Sequence, residues 1–307
     1  MMRLILLLTA FLTCCWPEAA GARSFYVDGA NGIPLGVFDE GPADGPEILF
    51  IHGLGQGAAS FRPQFESPLA RDHHLVAFDL RGHGVSGKPT DAGAYTDPGN
   101  WAEDVDRVMA ATHLHRPVIV AWSYGTRVVS DYIRVLGSSK MGGLVLVGAL
   151  GGMVAAPPPT GSLPPNLVEA RRLQSSLVMA DRLEASRLGA GLLTAHPVPG
   201  WTDTAIMLGL LVPPYAQAPL RKHPVNNVDI VDKIGVPVLV IYGQYDPGVS
   251  DSDVSRFLKQ LPTSKAIKYE ASGHATFAEE PERFNRDLAS FVDQRQDRSR
   301  PKQPSGR

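Results

Sequence analysis

Residues 117–126 read Pro-Val-Ile-Val-Ala-Trp-Ser-Tyr-Gly-Thr. A β-branched run ends in Ala121-Trp122-Ser123-Tyr124-Gly125, and a helical pattern follows over Thr126–Leu136. There Val128, Val129, Tyr132, Ile133 and Leu136 fall on one face, the spacing of an amphipathic helix. A serine between strand and helix, with glycine two positions on, is nearly the G-x-S-x-G elbow, whose sharp turn exposes the serine hydroxyl. On that reading Ser123 is a nucleophile and the chain a hydrolytic enzyme. A lone x-Ser-x-Gly is more often a helix cap, so its weight depends on what the rest of the chain supplies.

The surrounding pattern alternates short apolar runs with helical stretches. Glu47–Ile51, His74–Phe78, Val118–Trp122, Leu144–Val147 and Val236–Tyr242 have the continuous apolar character of strands buried on both faces, and Ala266–Glu270 is a more polar example. Asn100–Thr112, Thr126–Leu136, Val254–Leu261 and Pro281–Val292 are the helical counterparts. Such alternation predicts an α/β fold: a doubly wound, mainly parallel sheet covered on both faces. Ser24–Val27 and Pro34–Phe38, with a Gly-rich turn between them, predict an N-terminal hairpin. Between residues 151 and 223 the rhythm breaks. A Pro-rich segment leads into helical patterns over Asn166–Leu193, and residues 200–224 read as irregular though apolar. The expectation is a helical cap inserted into a catalytic domain of residues 23–150 and 224–294, over the sheet edge where chemistry would occur.

A serine nucleophile needs a base, and the base needs a group to orient it. Asp246 follows the Val236–Tyr242 strand in Tyr245-Asp246-Pro247, and His274 follows the next strand in Ser272-Gly273-His274. Catalytic groups of open parallel sheets gather at such strand ends. Taken singly, either could be a loop or turn residue. In the order Ser123, Asp246, His274 they match the Ser…Asp…His sequence of one class of triad, with His274 as base and Asp246 fixing its tautomer. The backbone N–H groups of Leu54, in Phe50-Ile51-His52-Gly53-Leu54-Gly55, and of Tyr124 are candidate oxyanion donors. His52 and His83 read as structural hydrogen-bonding residues, and no spacing of histidines and carboxylates suggests a metal site.

Five segments in order carry a family resemblance: His52-Gly53-Leu54-Gly55, Asp79-Leu80-Arg81-Gly82-His83-Gly84-Val85-Ser86-Gly87, Ala121-Trp122-Ser123-Tyr124-Gly125, Tyr245-Asp246-Pro247 and Gly273-His274. The chain resembles the α/β-hydrolase superfamily over nearly all of its length, with the helical insertion in the place of the family's cap. The resemblance implies a cofactor-free serine hydrolase acting on small ester-like substrates, carboxylic esters or lactones, through an acyl-enzyme. Similar chains also include C–C bond hydrolases and cofactor-free haloperoxidases or perhydrolases. The departure is Ala121 in place of the first glycine. Serine rather than aspartate at position 123 argues against dehalogenase and epoxide hydrolase activity. Trp122, Trp201, Met207 and Tyr215 are expected to line the substrate pocket.

Two further classes compete. Gly53-Leu54-Gly55-Gln56-Gly57-Ala58, with Asp79 about 20 residues on, outlines a dinucleotide-binding fingerprint, but a nicotinamide-dependent oxidoreductase would leave Ser123, Asp246 and His274 without a role. Gly82, Gly87 and Lys88 mimic a phosphate loop, yet Pro89 stands where the Mg²⁺-binding hydroxyl belongs. A hydrolase-like ligand-binding protein with slow turnover is the other alternative.

The ends bear on compartment and partners. A short basic Met1–Arg3, an apolar Leu4–Trp16 and Ala20-Gly21-Ala22 have the layout of a signal peptide over residues 1–22, which predicts a secreted or periplasmic protein. The apolar run is shorter than the ~20 residues of a membrane span. Cys14 and Cys15, the only cysteines, lie in that leader, where the residues before them suit a lipid-anchor site poorly. The mature chain would then have no thiol and no disulfide. Residues 295–307 carry five basic residues and one acidic, and read as an unstructured tail. The chain's formal net charge is −2; setting aside the +4 tail leaves −6 on the body, which excludes a nucleic-acid-binding surface. Oligomeric state leaves no trace in the sequence.

Overall fold

The computed structural model describes residues 22–155 and 165–299, with side chains described as far as Arg295. The expected leader and the end of the basic tail lie outside the described residues. Eight strands form one sheet: β1 (Arg23–Asp28), β2 (Pro34–Glu40), β3 (Glu47–Ile51), β4 (His74–Phe78), β5 (Val118–Trp122), β6 (Gly143–Val147), β7 (Val238–Gly243) and β8 (Lys265–Tyr269). Their spatial order is β1-β2-β4-β3-β5-β6-β7-β8. β2 pairs antiparallel with both β1 and β4, and every other pairing is parallel. The expected hairpin is therefore β1–β2, laid on the edge of a parallel sheet.

The continuous apolar runs follow from a sheet buried on both faces. Along β3, Leu49 and Ile51 enter one core while Ile48 and Phe50 enter the other. β5 alternates likewise, with Ile119 and Ala121 on one side and Val118, Val120 and Trp122 on the other. Period-two alternation between two dry faces needs an apolar residue at every position. Each fully buried aliphatic side chain contributes about 1.5–3 kcal/mol. The sheet's centre is thus the stable platform on which its strand ends are held.

Helices cover both faces. α1 (Arg62–Phe65) and α2 (Leu69–Asp72) are single turns before β4; α3 (Pro98–Ala111) and α4 (Gly125–Leu136) flank β5. Asp97 accepts a hydrogen bond from Gly99 N at 2.8 Å, and Pro98 occupies the first helical position, so α3 starts with its loose donors satisfied. α4 stops at Gly137, whose φ of 76° suits glycine. Between β6 and β7 lie α5 (Pro165–Leu173), α6 (Met179–Ala190), α7 (Trp201–Leu211) and α8 (Pro214–Arg221). α9 (Asp251–Gln260), α10 (Thr276–Glu279) and α11 (Pro281–Ser299) complete the chain. Among the described residues no helix is long and apolar enough to cross a membrane.

Two expectations are corrected. Residues 200–224 are largely helical rather than irregular. α7 reads Trp-Thr-Asp-Thr-Ala-Ile-Met-Leu-Gly-Leu-Leu, apolar around most of its circumference, so it shows no amphipathic period. α8 is bracketed by prolines and holds Pro219 inside it, a residue that ordinarily argues against a helix. At the other end, α11 runs to Ser299, so helix continues into the stretch expected to be unstructured from residue 295.

A buried ion pair ties the loops beside the sheet's strand ends. Arg81 Nε and Nη2 each donate to Asp104 at 2.7 Å, both side chains being fully buried. Ala30 N donates to the same carboxylate at 2.8 Å, and Arg81 also reaches the carbonyls of Ala94 and Ala30. Burial pushes the Asp104 carboxyl above its usual range, against the pull of the Arg81 guanidinium. Removing one member of such a pair strands the other in a dry interior. Asp104→Ala is therefore expected to cost about 3–5 kcal/mol in urea-unfolding free energy; a loss within ~0.5 kcal/mol, the range of an ordinary surface substitution, would contradict this role.

Candidate active site

The turn after β5 holds its serine in an uncommon conformation. Ser123 has φ of 53°, one of three described non-glycine residues with positive φ. Strain of this kind in a residue with a Cβ costs on the order of 1–3 kcal/mol and gathers at functional sites. The neighbours over-determine it. Ser123 N donates to Val147 O on β6 at 2.9 Å, and Thr126 donates to Ser123 O through N at 3.0 Å and Oγ1 at 2.5 Å. Gly125 must lack a side chain, since a Cβ there would lie 2.3 Å from Ile51 O of β3. Ala121 sits in the apolar core, so its methyl is accommodated where glycine is usual in the elbow.

Asp246 and His274 come together from successive strand ends. His274 Nδ1 lies 2.8 Å from Asp246 Oδ1, with the carboxylate side chain fully buried and the ring 12% exposed. Gly248 N also donates to Asp246 Oδ1, at 2.7 Å, while Oδ2 is buried without a partner. The His274 loop is clamped on both sides. Trp122 Nε1 donates to His274 O at 3.0 Å, and Gly273 N donates to Glu279 Oε2 at 2.7 Å. The second Glu279 oxygen accepts from Ala195 N at 2.6 Å, tying this loop to the inserted helices. An Nδ1–H given to Asp246 leaves Nε2 as the ring's acceptor. Among the described residues Ser123 and His274 share a cavity without a hydrogen bond between them; such contacts often tighten only when substrate binds.

Leu54 and Tyr124 both line that cavity, and neither backbone N–H donates to a protein acceptor among the described residues. The loop bearing Leu54 is fixed from beneath. His52 Nε2 accepts from Leu80 N at 2.9 Å, and Nδ1 lies 2.8 Å from Gly53 O. Asp79 accepts from Ala58 N at 2.7 Å and Val85 N at 2.8 Å, stitching this loop to the one after β4. A carboxylate so engaged and buried is not placed to bind a ribose, which removes the acidic half of the dinucleotide outline. Lys88 Nζ donates to Gly84 O and Ser86 O, closing its own loop rather than cradling phosphate.

Two cavities, of about 560 and 430 Å3, meet at Leu54, Ser123, Gly248 and His274. The second is walled by Leu192, Leu193, Ala205 and Val212 from the insertion. None of the four expected pocket residues lines either. Trp122 is fully buried on the far face of β5, its ring 4.9 Å from Phe277. Trp201 packs against Trp122 and donates to Ser60 O at 2.8 Å. Met207 is 67% exposed, and Tyr215, 48% exposed, donates to Lys88 O. Apolar character alone does not say which side of α7 and α8 faces the strand ends, and Trp122 is fixed by its place in β5. Among the described residues no group of three or more His, Cys, Asp or Glu could hold a metal ion.

The alpha/beta hydrolase fold family matches this chain over residues 46–281. The chain is an α/β hydrolase. It is 26% identical over 278 residues to a non-heme chloroperoxidase of Streptomyces lividans, spanning 86% of this chain and 97% of that protein. A bifunctional esterase/perhydrolase of Acinetobacter calcoaceticus is 25% identical over 87% of this chain and 99% of its own. Among solved structures, a candidate aryl esterase from Burkholderia cenocepacia superposes with a TM-score of 0.80 and 31% identity, covering 90% of this chain and all of that one. An esterase from Rhodococcus sp. ECU1013 gives 0.77 and 27%, covering 88% and 98%.

Two residues of this hydrolase's site carry no motif in the sequence. Glu279 carries no motif; only its distance in space from Gly273 reveals it. Arg127 also lines the larger cavity, and its position one helical turn beyond Ser123 was the available signal. His52 and His83 are bound as expected for structural residues. Burial holds His52 down to about 4, opposed by its bond to Gly53. His83 is held down to about 3 by burial and then by the charge of His52, against its bond to Arg81 O. Both must stay neutral in the fold, while the unfolded chain takes up their protons near pH 6.5. Stability therefore falls as pH drops below about 6.5, toward 4 for His52 and 3 for His83. In His83→Gln, urea unfolding at pH 7.5 and pH 5 should show a loss about 2 kcal/mol smaller than wild type; an undiminished loss would contradict the assignment.

Proposed function

We propose that this α/β hydrolase cleaves carboxylic esters or lactones through an acyl-enzyme on Ser123. The observation that carries the reading is the strained Ser123 elbow opening onto the same cavity as a His274 ring already oriented by Asp246. In the first half-reaction the Ser123 Oγ–H proton passes to His274 Nε2 as Oγ attacks the carbonyl carbon. The C=O electron pair moves onto oxygen, where the N–H groups of Leu54 and Tyr124 receive it. One such donor is worth about 3–4 kcal/mol in the transition state. The imidazolium then protonates the leaving alcohol as the ester C–O bond breaks. Water repeats the sequence on the acyl-enzyme, and Ser123 recovers its proton. Asp246 holds the imidazole tautomer and stabilises the transient cation without taking a proton itself.

The similarity to a chloroperoxidase and an esterase/perhydrolase along almost their whole lengths supports a second outcome from the same intermediate. Hydrogen peroxide in place of water would release a peracid. A panel of 4-nitrophenyl esters and lactones, with and without hydrogen peroxide, resolves these products.

Ser123→Ala is expected to lower kcat at least ~10⁴-fold, because a triad residue acts only as part of the set. Asp246→Asn should lower it about 10⁴-fold by offering the wrong tautomer. A fluorophosphonate probe should label the wild type stoichiometrically and Ser123→Ala not at all. Turnover or labelling that survives Ser123→Ala would overturn the reading. Labelling without ester turnover would instead favour a ligand-binding protein with a slow site.

A further inference from the structure

The wall of the larger cavity carries positive charge that acyl transfer does not use. Arg127 of α4, Arg171 of α5 and Arg221 of α8 line it together with Ser123 and His274. Arg171 and Arg221 also line the second cavity. Arg127 lies over the Tyr124 ring, 5.7 Å from its centroid, beside one of the two candidate oxyanion amides. Neither Arg127 nor Arg171 has a hydrogen-bond or carboxylate partner among the described residues, and Arg221 has only a 3.4 Å contact to Gln217 Oε1. Arginines that serve structure look different: Arg81 holds Asp104, Arg107 holds Glu103, and Arg172, next to Arg171, holds Glu169.

The acidic groups nearby are already engaged. Asp253 lines the larger cavity but is bound by Ser250 and Arg256. Asp246 is held by His274, and Asp131, further along α4, by His223 at 2.5 Å. Arg182, on the second cavity, donates to backbone carbonyls of Leu210 and Val212. Arg127 and Arg221 are half-buried, and burial pushes both guanidinium pKa values down, with the neighbouring Arg171 charge lowering them further. Withdrawing cations from water without a counter-ion, and beside one another, opposes folding. The chain's formal net charge is −2, so this cluster is not a by-product of a basic protein.

A planar guanidinium matches a carboxylate through two parallel N–H···O bonds, and several arginines around one site select an anion. Resting on the esterase reading above, we propose that the substrate carries a free carboxylate away from the reacting carbonyl, and that Arg127, Arg171 and Arg221 receive it. The substrate class is then half-esters of dicarboxylic acids and hydroxy acids acylated on their hydroxyl, rather than neutral alkyl esters. Because Arg171 and Arg221 come from the inserted helices and Arg127 from the helix behind the elbow, the carboxylate joins the insertion to the catalytic domain.

The test compares 4-nitrophenyl hemiglutarate with its methyl-capped diester. Wild type should favour the free acid by at least about 10-fold in kcat/KM, expressed mainly in KM. Arg171→Gln, which alters an exposed residue, and Arg221→Gln should each reduce that ratio about 10-fold, with Arg171→Lys retaining most of it. A second readout needs no turnover: calorimetry on Ser123→Ala with monomethyl glutarate and dimethyl glutarate. The monoanion should bind at least about 10-fold tighter, and the preference should disappear when Arg171→Gln and Arg221→Gln are added. Equal kcat/KM and equal binding for the two members of each pair would overturn this inference while leaving the Ser123 chemistry intact. Ester hydrolysis that persists in Ser123→Ala would overturn the catalytic reading, and a binding preference that survives it would still support the anion site. Competition by inorganic phosphate but not by glutarate would overturn the carboxylate and transfer the site to phosphate-bearing ligands.

Discussion

Ser123 keeps a left-handed backbone only because three strands and a helix leave it no alternative. β5 delivers it, β6 takes its N–H, Thr126 takes its carbonyl, and Gly125 brings α4 to within a backbone's thickness of β3. The strain, on the order of 1–3 kcal/mol, is borne by a sheet whose central strands are dry on both faces. A less fully buried sheet could relax the turn and lose the exposed hydroxyl. The fold is in that sense the device that holds one unfavourable torsion.

The remaining parts of the site are fixed by hydrogen bonds from loops onto that frame. Trp122, the residue before the serine, reaches across to the carbonyl of His274, so elbow and base are positioned by one side chain. Glu279 clamps the His274 loop and the inserted segment at once. His52 and Asp79 brace the loop carrying Leu54, and the Arg81–Asp104 pair ties the loop after β4 to α3 and to the turn at Ala30. Buried polar groups are costly unless partnered. Those of the bracing network are largely satisfied, whereas the half-buried Arg127 has no partner among the described residues and the half-buried Arg221 only a 3.4 Å contact to Gln217. That contrast separates residues that hold the fold from residues that await a ligand.

The strands were legible because burial on two faces imprints short, β-branched apolar runs; the ranges of β3, β4 and β5 match their runs end to end. Ser123 and Asp246 were legible because each follows such a run, and His274 because it follows the next, more polar strand in the Ser…Asp…His order. α7 and α8 were not, because a helix apolar all round and a helix containing proline carry no amphipathic signature. The pocket expectations failed for the same reason. Trp201, Met207 and Tyr215 are apolar, but only the orientation of the insertion's helices decides which side chains meet the cavity, and Trp122 is turned away by its place in β5. The arginine cluster was illegible since Arg127, Arg171 and Arg221 are distant in sequence and converge only in the fold.

The central claim is that Ser123 becomes covalently acylated. The direct measurement is peptide mass spectrometry after brief mixing with 4-nitrophenyl acetate and acid quench. One acetyl group is expected, on the peptide containing Ser123, absent when the mixture is left until ester is exhausted. Acetyl on another residue, or ester consumed at full rate with no acylated Ser123 at any time, would contradict it.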